Sequence, residues 1–219
     1  EIPPLDRHRQ RAKVVMALNE PMAESLSHSD SSKKRGAGLL LVSFSLQGLH
    51  PRILLLLRSA TSGHPFTWGL PGGNLDEADD AGDHGRSSSS SLSVSFAAAL
   101  RETKEEIGAV PPSAATELAN GTALARGGMV THRGKRLQKK YVVFAVKCDD
   151  EETSKWTPTL NDEHTAFGWF DAADVAQAAN NGTEIQGRRL HPVVTALFVQ
   201  HKPLDLLRVE VEQRETVAV

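Results

Sequence analysis

The sequence has very little of several features that would point to a protein class at once. It contains a single cysteine, Cys148, which cannot form a disulfide within the chain, so we expect a reducing intracellular compartment, cytoplasmic or organellar. Its longest aliphatic run, Ile53–Leu57, is far shorter than the ~20 apolar residues of a membrane-spanning helix, so we expect no membrane partner. The formal net charge is only −2, which argues against a globally basic nucleic-acid-binding surface.

The 219 residues, 39% of them hydrophobic, suffice for about one globular domain with extensions. We divide them into an N-terminal extension (1–35, a candidate helix plus a linker), a folded domain (36–204) and a C-terminal strand or tail (205–219). The chain begins at Glu1 rather than Met, so we expect a truncated or processed N-terminus, and the sequence does not tell whether a targeting peptide has been lost. The sequence gives no indication of the oligomeric state.

Hydrophobic patterns predict a mixed sheet covered by helices, an α/β class. Two apolar segments flank a turn and are expected to pair as a hairpin, Leu39–Leu46 and Ile53–Arg58. Further strands are predicted at Thr122–Val130, Lys140–Lys147 and Phe167–Phe170, and helices at Val94–Ile107, Ala172–Ala179 and Pro192–His201.

The segment between Asp76 and Ser95 differs from the rest in composition. It contains acidic residues, glycines and five consecutive serines, Ser87 to Ser91. Such a composition cannot bury enough apolar area to order itself, so it predicts a flexible insertion at about 80–93. We expect this insertion to be dispensable for the chemistry.

Three carboxylates share one side of the predicted helix Val94–Ile107. At 100° per residue, Glu102, Glu105 and Glu106 fall within an arc of about 100°. Carboxylates crowded in this way repel one another unless a cation lies between them, and a hard cation such as Mg²⁺ prefers oxygen ligands. An ordinary solvated helix face would explain the same spacing, so the carboxylates alone leave both interpretations open.

The upstream segment Trp68-Gly69-Leu70-Pro71-Gly72-Gly73 favours the first interpretation. A glycine turn after an apolar strand lets the bare backbone approach a phosphate or offer a carbonyl to a metal. Together, in this order, the two parts resemble the box of the Nudix hydrolases, Gly-x5-Glu-x7-Arg-Glu-U-x-Glu-Glu-x-Gly-U, where U is bulky and aliphatic. The box is interrupted here. Asp79 stands where the box has its first Glu, and 21 residues rather than seven lie between Asp79 and Arg101. Thr103 and Ala109 occupy the two aliphatic positions.

The resemblance implies a Nudix-type α/β/α sandwich and hydrolysis, dependent on Mg²⁺ or Mn²⁺, of a nucleoside diphosphate linked to another group. By the same resemblance the metal would be held by Gly72, Glu102, Glu105 and Glu106. Arg101 would orient the helix carboxylates, and Glu102 is one candidate base. Gly73 and Arg58, at the end of the second strand, are candidate substrate-binding residues, although Arg58 could equally be a solvated strand end.

Two further features remain open at the sequence level. Asn161-Asp162-Glu163-His164 is similar to the acidic loop that relatives add beyond the box, and Glu163 is our choice for its catalytic residue. Lys135, Arg136, Lys139 and Lys140 cluster before an apolar strand, as a solvated hairpin loop or as contacts to polyphosphate or RNA. The alternatives to a nucleotide hydrolase are an RNA 5′-end pyrophosphohydrolase of decapping type and a catalytically weak nucleotide- or RNA-binding module.

Overall fold

The computed structural model describes residues 35–44, 50–76 and 88–205, with side chains from Ser91 onward in the last range. Four predicted features lie outside these residues: the extension before Arg35, the turn at 45–49, the start of the insertion with Asp79, and the tail after Asp205.

Seven strands and six helices make up the described part of the chain. The strands are β1 (Arg35–Phe44), β2 (Arg52–Arg58), β3 (Trp68–Gly69), β4 (Gly72–Asn74), β5 (Met129–Arg133), β6 (Lys139–Asp149) and β7 (His164–Asp171). The helices are α1 (Ser88–Ile107), α2 (Pro112–Ala119), α3 (Thr122–Arg126), α4 (Asp150–Lys155), α5 (Ala172–Asn181) and α6 (Pro192–Gln200).

The strands form one mixed sheet in the order β3-β2-β1-β6-β5, with β4 also paired to β1 and β7 to β2. The central pair, β1 and β6, is parallel and runs from Arg35 opposite Lys140 to Phe44 opposite Asp149. The other pairs are antiparallel, including the predicted hairpin of β1 and β2. The α/β class and the mixed sheet predicted from the sequence are confirmed.

Both faces of the sheet are buried, which explains why β1 and β2 are apolar almost without alternation. On β1, Leu39 and Leu41 face one core with α1, α2 and α3, while Leu40 and Val42 face the other with α5 and α6. The result is the predicted α/β/α sandwich. Within the described ranges, no helix is long and apolar enough to cross a membrane.

Helix α1 begins at Ser88 rather than at Val94, so the second part of the segment predicted as a flexible insertion is helical. Serine has only a modest helix propensity, so this first part of α1 is explained by its tertiary contacts. Leu92 packs against the core between α1 and the sheet, and the Arg35 guanidinium donates a hydrogen bond to Ser91 Oγ at 2.9 Å. Deleting residues 80–93 would therefore remove the start of α1.

The predicted strand Thr122–Val130 is wrong for most of its length. Thr122–Arg126 forms α3, and β5 starts only at Met129. Glycines bound this short helix, Gly121 in the left-handed conformation before it and Gly127 after it. A buried ion pair also fixes it, because the Arg126 guanidinium donates to Glu117 Oε1 at 2.7 Å and to the Ala145 carbonyl at 2.6 Å.

We predict that this ion pair is needed for stability. Replacing Arg126 with Met would leave the Glu117 carboxylate buried without its cation, and should lower the free energy of unfolding by about 3–5 kcal/mol in urea denaturation. The matched control is Lys155→Met, which removes an exposed helix pair with Glu151 and should cost no more than about 0.5 kcal/mol. Similar losses in the two variants would contradict the assignment.

Candidate active site

A cleft of about 370 Å³ opens where β4, α1, the β5–β6 hairpin and the loop before β7 meet. Its lining combines carboxylates, cations and glycine backbone: Arg35, Gly36, Arg58, Gly63, His64, Gly69, Leu70, Gly72, Gly73, Asn74, Glu102, Glu106, Arg133, Lys139, Lys140, Tyr141, Glu163, His191 and Val193. The concentration of charged groups in one concave site makes it the candidate active site.

The glycine turn forms the floor of the cleft. Gly72 has φ +137°, and a side chain there would meet the Ala37 carbonyl oxygen and the Gly38 backbone. At Gly73 a Cβ would instead collide with the Glu102 carboxylate. Gly72 therefore needs to be glycine for β4 to pair with β1, whereas at Gly73 the missing side chain leaves room for the Glu102 carboxylate against the turn.

Glu106 is the most buried of the three helix carboxylates. The Gly72 amide donates to its Oε2 at 2.6 Å, and His164 Nε2 lies 3.8 Å from its Oε1. Burial raises the pKa of Glu106 to about 8, and burial with the nearby Arg58 lowers the pKa of His164 to about 4. Both shifts favour the neutral form of the group, and His164 Nε2 is buried without a hydrogen-bond partner in the described part of the chain.

Glu102 faces the same turn, but it is held by Arg101. The Arg101 guanidinium donates to Glu102 Oε1 at 2.6 Å and lies 2.9 Å from Asp76 Oδ2. Burial raises the pKa of Glu102 although the Arg101 charge opposes this. Glu105 points away from the cleft: its side chain is 59% exposed and its Oε1 lies 3.7 Å from Arg101.

Arg58 and Glu163 meet at the mouth of the cleft, with 3.4 Å between the guanidinium and Glu163 Oε2. The pairing of β2 with β7 brings them together, and the Glu163 carbonyl accepts hydrogen bonds from the Ser59 amide and the Ser62 hydroxyl. Arg58 is further fixed by donating to the Gly63 carbonyl at 2.6 Å. Arg58 is thus more than a solvated strand end.

The opposite wall holds groups that the sequence did not single out. Arg133 reaches the cleft from β5, and the rings of His64 and His191 stand edge to face at 4.9 Å. Arg133 was missed because the strand was predicted at Thr122–Val130, whereas β5 is Met129–Arg133. Alternation along the predicted strand therefore placed no side chain in the cleft. Of the basic cluster, Lys139 and Lys140 line the cleft, whereas Lys135 and Arg136 do not.

The structure therefore brings most of the predicted site residues together and leaves one apart. Six of them line the cleft: Gly72, Gly73, Glu102, Glu106, Arg58 and Glu163. Arg101 pairs with Glu102 without lining the cleft, and Glu105 lies outside. Within residues 35–44, 50–76 and 88–205, no three His, Cys, Asp or Glu side chains are arranged as a ready-made metal site.

Comparison with known proteins gives one family match and several solved structures. The model of the NUDIX domain matches residues 33–190. A Caenorhabditis elegans Ap4A hydrolase complex is 21% identical over 67% of this chain and 86% of its own, with a TM-score of 0.39. The Nudix hydrolase RenU from Mycobacterium smegmatis is 20% identical over 83% and 87%, with a TM-score of 0.42. No curated protein sequence matches the chain.

We predict that the two glycines of the turn respond differently to alanine. Gly72→Ala should destabilise the fold by about 1–3 kcal/mol because rigid backbone atoms stand in the way. Gly73→Ala should cost less than about 1 kcal/mol, because the flexible Glu102 side chain can move aside, and a crystal structure should show that carboxylate displaced. Gly63→Ala, with nothing within 4 Å of its Cβ, is the control. An undisturbed Glu102 in Gly73→Ala would contradict the geometry.

A second prediction concerns acid stability. Burial, with the nearby Arg58, His64 and Arg133 charges, lowers the pKa of His191 to about 3 from the ordinary 6.5. Below pH 6.5 the unfolded chain binds a proton that the folded protein excludes, so stability falls as the pH drops from 6.5 towards 3.

Replacing His191 with Asn, which retains a helix-capping acceptor for the Val193 amide, should remove this loss. In urea denaturation the variant should gain about 1.4 kcal/mol per pH unit over wild type below pH 6.5. His50→Asn, at an exposed imidazole, should follow the wild-type curve. Parallel curves for His191→Asn and wild type would show that His191 does not contribute to acid instability.

Proposed function

The chain belongs to the Nudix hydrolase family, and from that premise we propose that it cleaves a nucleoside diphosphate linked to another group, using Mg²⁺ or Mn²⁺. The family match covers more than half of the chain, residues 33–190 of 219. The observation that carries the proposal is the meeting of Glu102 and Glu106 with the Gly72–Gly73 turn in a single cleft.

The donor chemistry of the cleft fits a hard divalent cation. Glu106 is a buried carboxyl, and burial raises its pKa to about 8 although the Gly72 amide and the charge of Arg58 oppose this. A cation beside it would favour the charged form, and carboxylate and carbonyl oxygens are the ligands that Mg²⁺ and Mn²⁺ prefer. We propose Glu102, Glu106 and the Gly72 carbonyl as ligands. Glu105, which the resemblance also implies as a ligand, lies outside the cleft in this structure.

When bound, the metal neutralises diphosphate charge and lowers the pKa of a bound water. The remaining tasks fall to this chain's side chains. Arg101 holds the Glu102 carboxylate towards the turn through its 2.6 Å hydrogen bond. Arg58, mostly buried and fixed by the Gly63 carbonyl, presents a guanidinium to substrate phosphate.

We assign the proton-accepting role to Glu163. Its carboxylate is more than half exposed at the mouth of the cleft, and its contact with Arg58 is long, at 3.4 Å. Glu102, by contrast, is committed to Arg101 at 2.6 Å. A carboxylate that is accessible and weakly held is better placed to take a proton from an attacking water.

The proposal predicts metal-dependent hydrolysis in a panel of nucleotide substrates that includes a 5′-triphosphate RNA. Glu106→Gln should lower kcat/KM by roughly 10²–10⁴-fold and weaken Mn²⁺ binding measured by calorimetry, because it removes a charged ligand. Glu151→Gln, on the exposed face of α4, is the matched control and should change neither quantity.

Near-wild-type turnover by Glu106→Gln at the same metal concentration would refute the assignment of Glu106 as a metal ligand. Tight nucleotide binding without turnover for any substrate or metal would instead favour the binding-module alternative. A preference for the RNA would favour the 5′-end pyrophosphohydrolase. Glu105→Gln adds information on the third helix carboxylate, because a loss as large as that of Glu106→Gln would put Glu105 in the metal site.

A further inference from the structure

The wall of the cleft provided by β5 and β6 has an unusual arrangement of charge. Arg133 and Lys139 are directly opposite each other in the antiparallel register, and both line the cleft. Like charges at directly opposed positions destabilise a strand pair. Lys140, the next residue of β6, also lines the cleft. A hairpin that keeps three cations in one site is stabilised if an anion binds there.

Nothing in the described part of the chain neutralises this pair. Neither Arg133 nor Lys139 forms an ion pair among residues 35–44, 50–76 and 88–205, whereas Arg58 is matched by Glu163. The Arg133 Nε is buried and has no hydrogen-bond partner. Its guanidinium is nevertheless held in place, with its carbon atom 5.6 Å from the centre of the Tyr141 ring. The result is a fixed donor group that lacks an acceptor.

The neighbouring histidines leave this positive potential in place. His64 and His191 pack edge to face beside the wall, and neither is an anion. Burial, together with the charges of Arg133, Lys139 and Arg58, lowers the pKa of His64, which favours its neutral form. The lining holds five Arg and Lys side chains and three Glu side chains, so the cationic groups outnumber the carboxyl groups before any metal is bound.

The acidic and basic groups come from different elements of the fold. Glu102 and Glu106 lie at the glycine turn, while Arg133 and Lys139 extend from the paired ends of β5 and β6. A ligand that satisfies both sets of groups carries a metal-binding diphosphate and further negative charge. The cleft volume of about 370 Å³ is within the range of small-molecule sites.

We propose that Arg133 and Lys139 form a phosphate-binding wall that selects nucleotides with three or more phosphates over those whose diphosphate ends in a neutral sugar. This inference rests on the proposed function, since it specifies the substrate of the same cleft. The Arg133 fork can hold two phosphate oxygens at once, and Lys139 adds a point charge. A diphosphate capped by a sugar would leave both cations without a partner.

The first experiment measures binding without catalysis. Calorimetry of inorganic tripolyphosphate and of pyrophosphate, both in metal-free buffer, should show tighter binding of tripolyphosphate. Arg133→Met should weaken tripolyphosphate binding at least ~10-fold, the loss of about one charge-assisted hydrogen-bond pair. The matched control is Arg136→Met, which removes an exposed cation of the same hairpin that does not line the cleft, and should stay within about twofold. Circular dichroism and thermal midpoints confirm that the variants fold.

The second experiment compares substrates. With metal present, the ratio of kcat/KM for a nucleoside triphosphate to that for ADP-ribose should fall about tenfold in Arg133→Met, and Arg133→Lys should recover part of it. An equal loss for both substrates would overturn the selectivity. The inference also fails if wild type does not bind tripolyphosphate, or if Arg133→Met binds it as wild type does.

The two proposals fail in different ways. Arg133-dependent tripolyphosphate binding in a protein that hydrolyses nothing would support the wall and refute the hydrolase. Turnover of nucleotides with Arg133-independent binding would support the hydrolase and refute the wall.

Discussion

The hydrogen bond from the Gly72 amide to the Glu106 carboxylate joins two parts of the chain that are 34 residues apart. Several elements have to be in place for it to form. The β4 strand must pair with β1, which requires glycine at position 72, and α1 must lie across the same face of the sheet through Phe96, Ala99 and Ile107. Because the carboxylate is buried, its bond to an amide offsets part of the desolvation cost. The contact between Gly72 and Glu106 thus depends on the packing of the whole sandwich and not on the conformation of a single loop.

The sequence predicted correctly those strands whose hydrophobic pattern has only one physical explanation. Strands buried on both faces are continuous apolar runs, and β1, β2 and β6 were predicted within a few residues. Prediction failed where local propensity and tertiary contact compete. Ser88–Ser91 have the composition of a linker, yet they are helical because Leu92 and Phe96 continue the buried stripe of α1. Thr122–Arg126 has two glycine boundaries and a buried Arg126–Glu117 pair, neither of which periodicity reveals.

The same distinction applies to the candidate site. The box residues were identified by their resemblance to the Nudix box, whose two parts lie on one turn and one helix. The individual orientations were not predictable: helical spacing puts Glu105 on the same arc as Glu102 and Glu106, but it cannot show that the Glu105 side chain is exposed beside Arg101, outside the cleft. Arg133, His64 and His191 reach the cleft from three separate elements, so only the pairing of strands and the packing of α6 bring them together. Non-local residues of this kind carry no signal in a single sequence.

The parallel pairing of β1 with β6 has a consequence for how the protein is made. Arg35 is paired with Lys140, 140 − 35 = 105 residues later in the chain. At about 5–20 residues per second, the ribosome needs about 5–20 s to produce the partner of a strand that it has already released. During this interval β1, with the apolar run Leu39–Val42, has an open edge on its most extensively paired side. The nascent chain therefore passes through a period in which this strand is a target for aggregation and for chaperones, and folding is completed only after β6 has emerged.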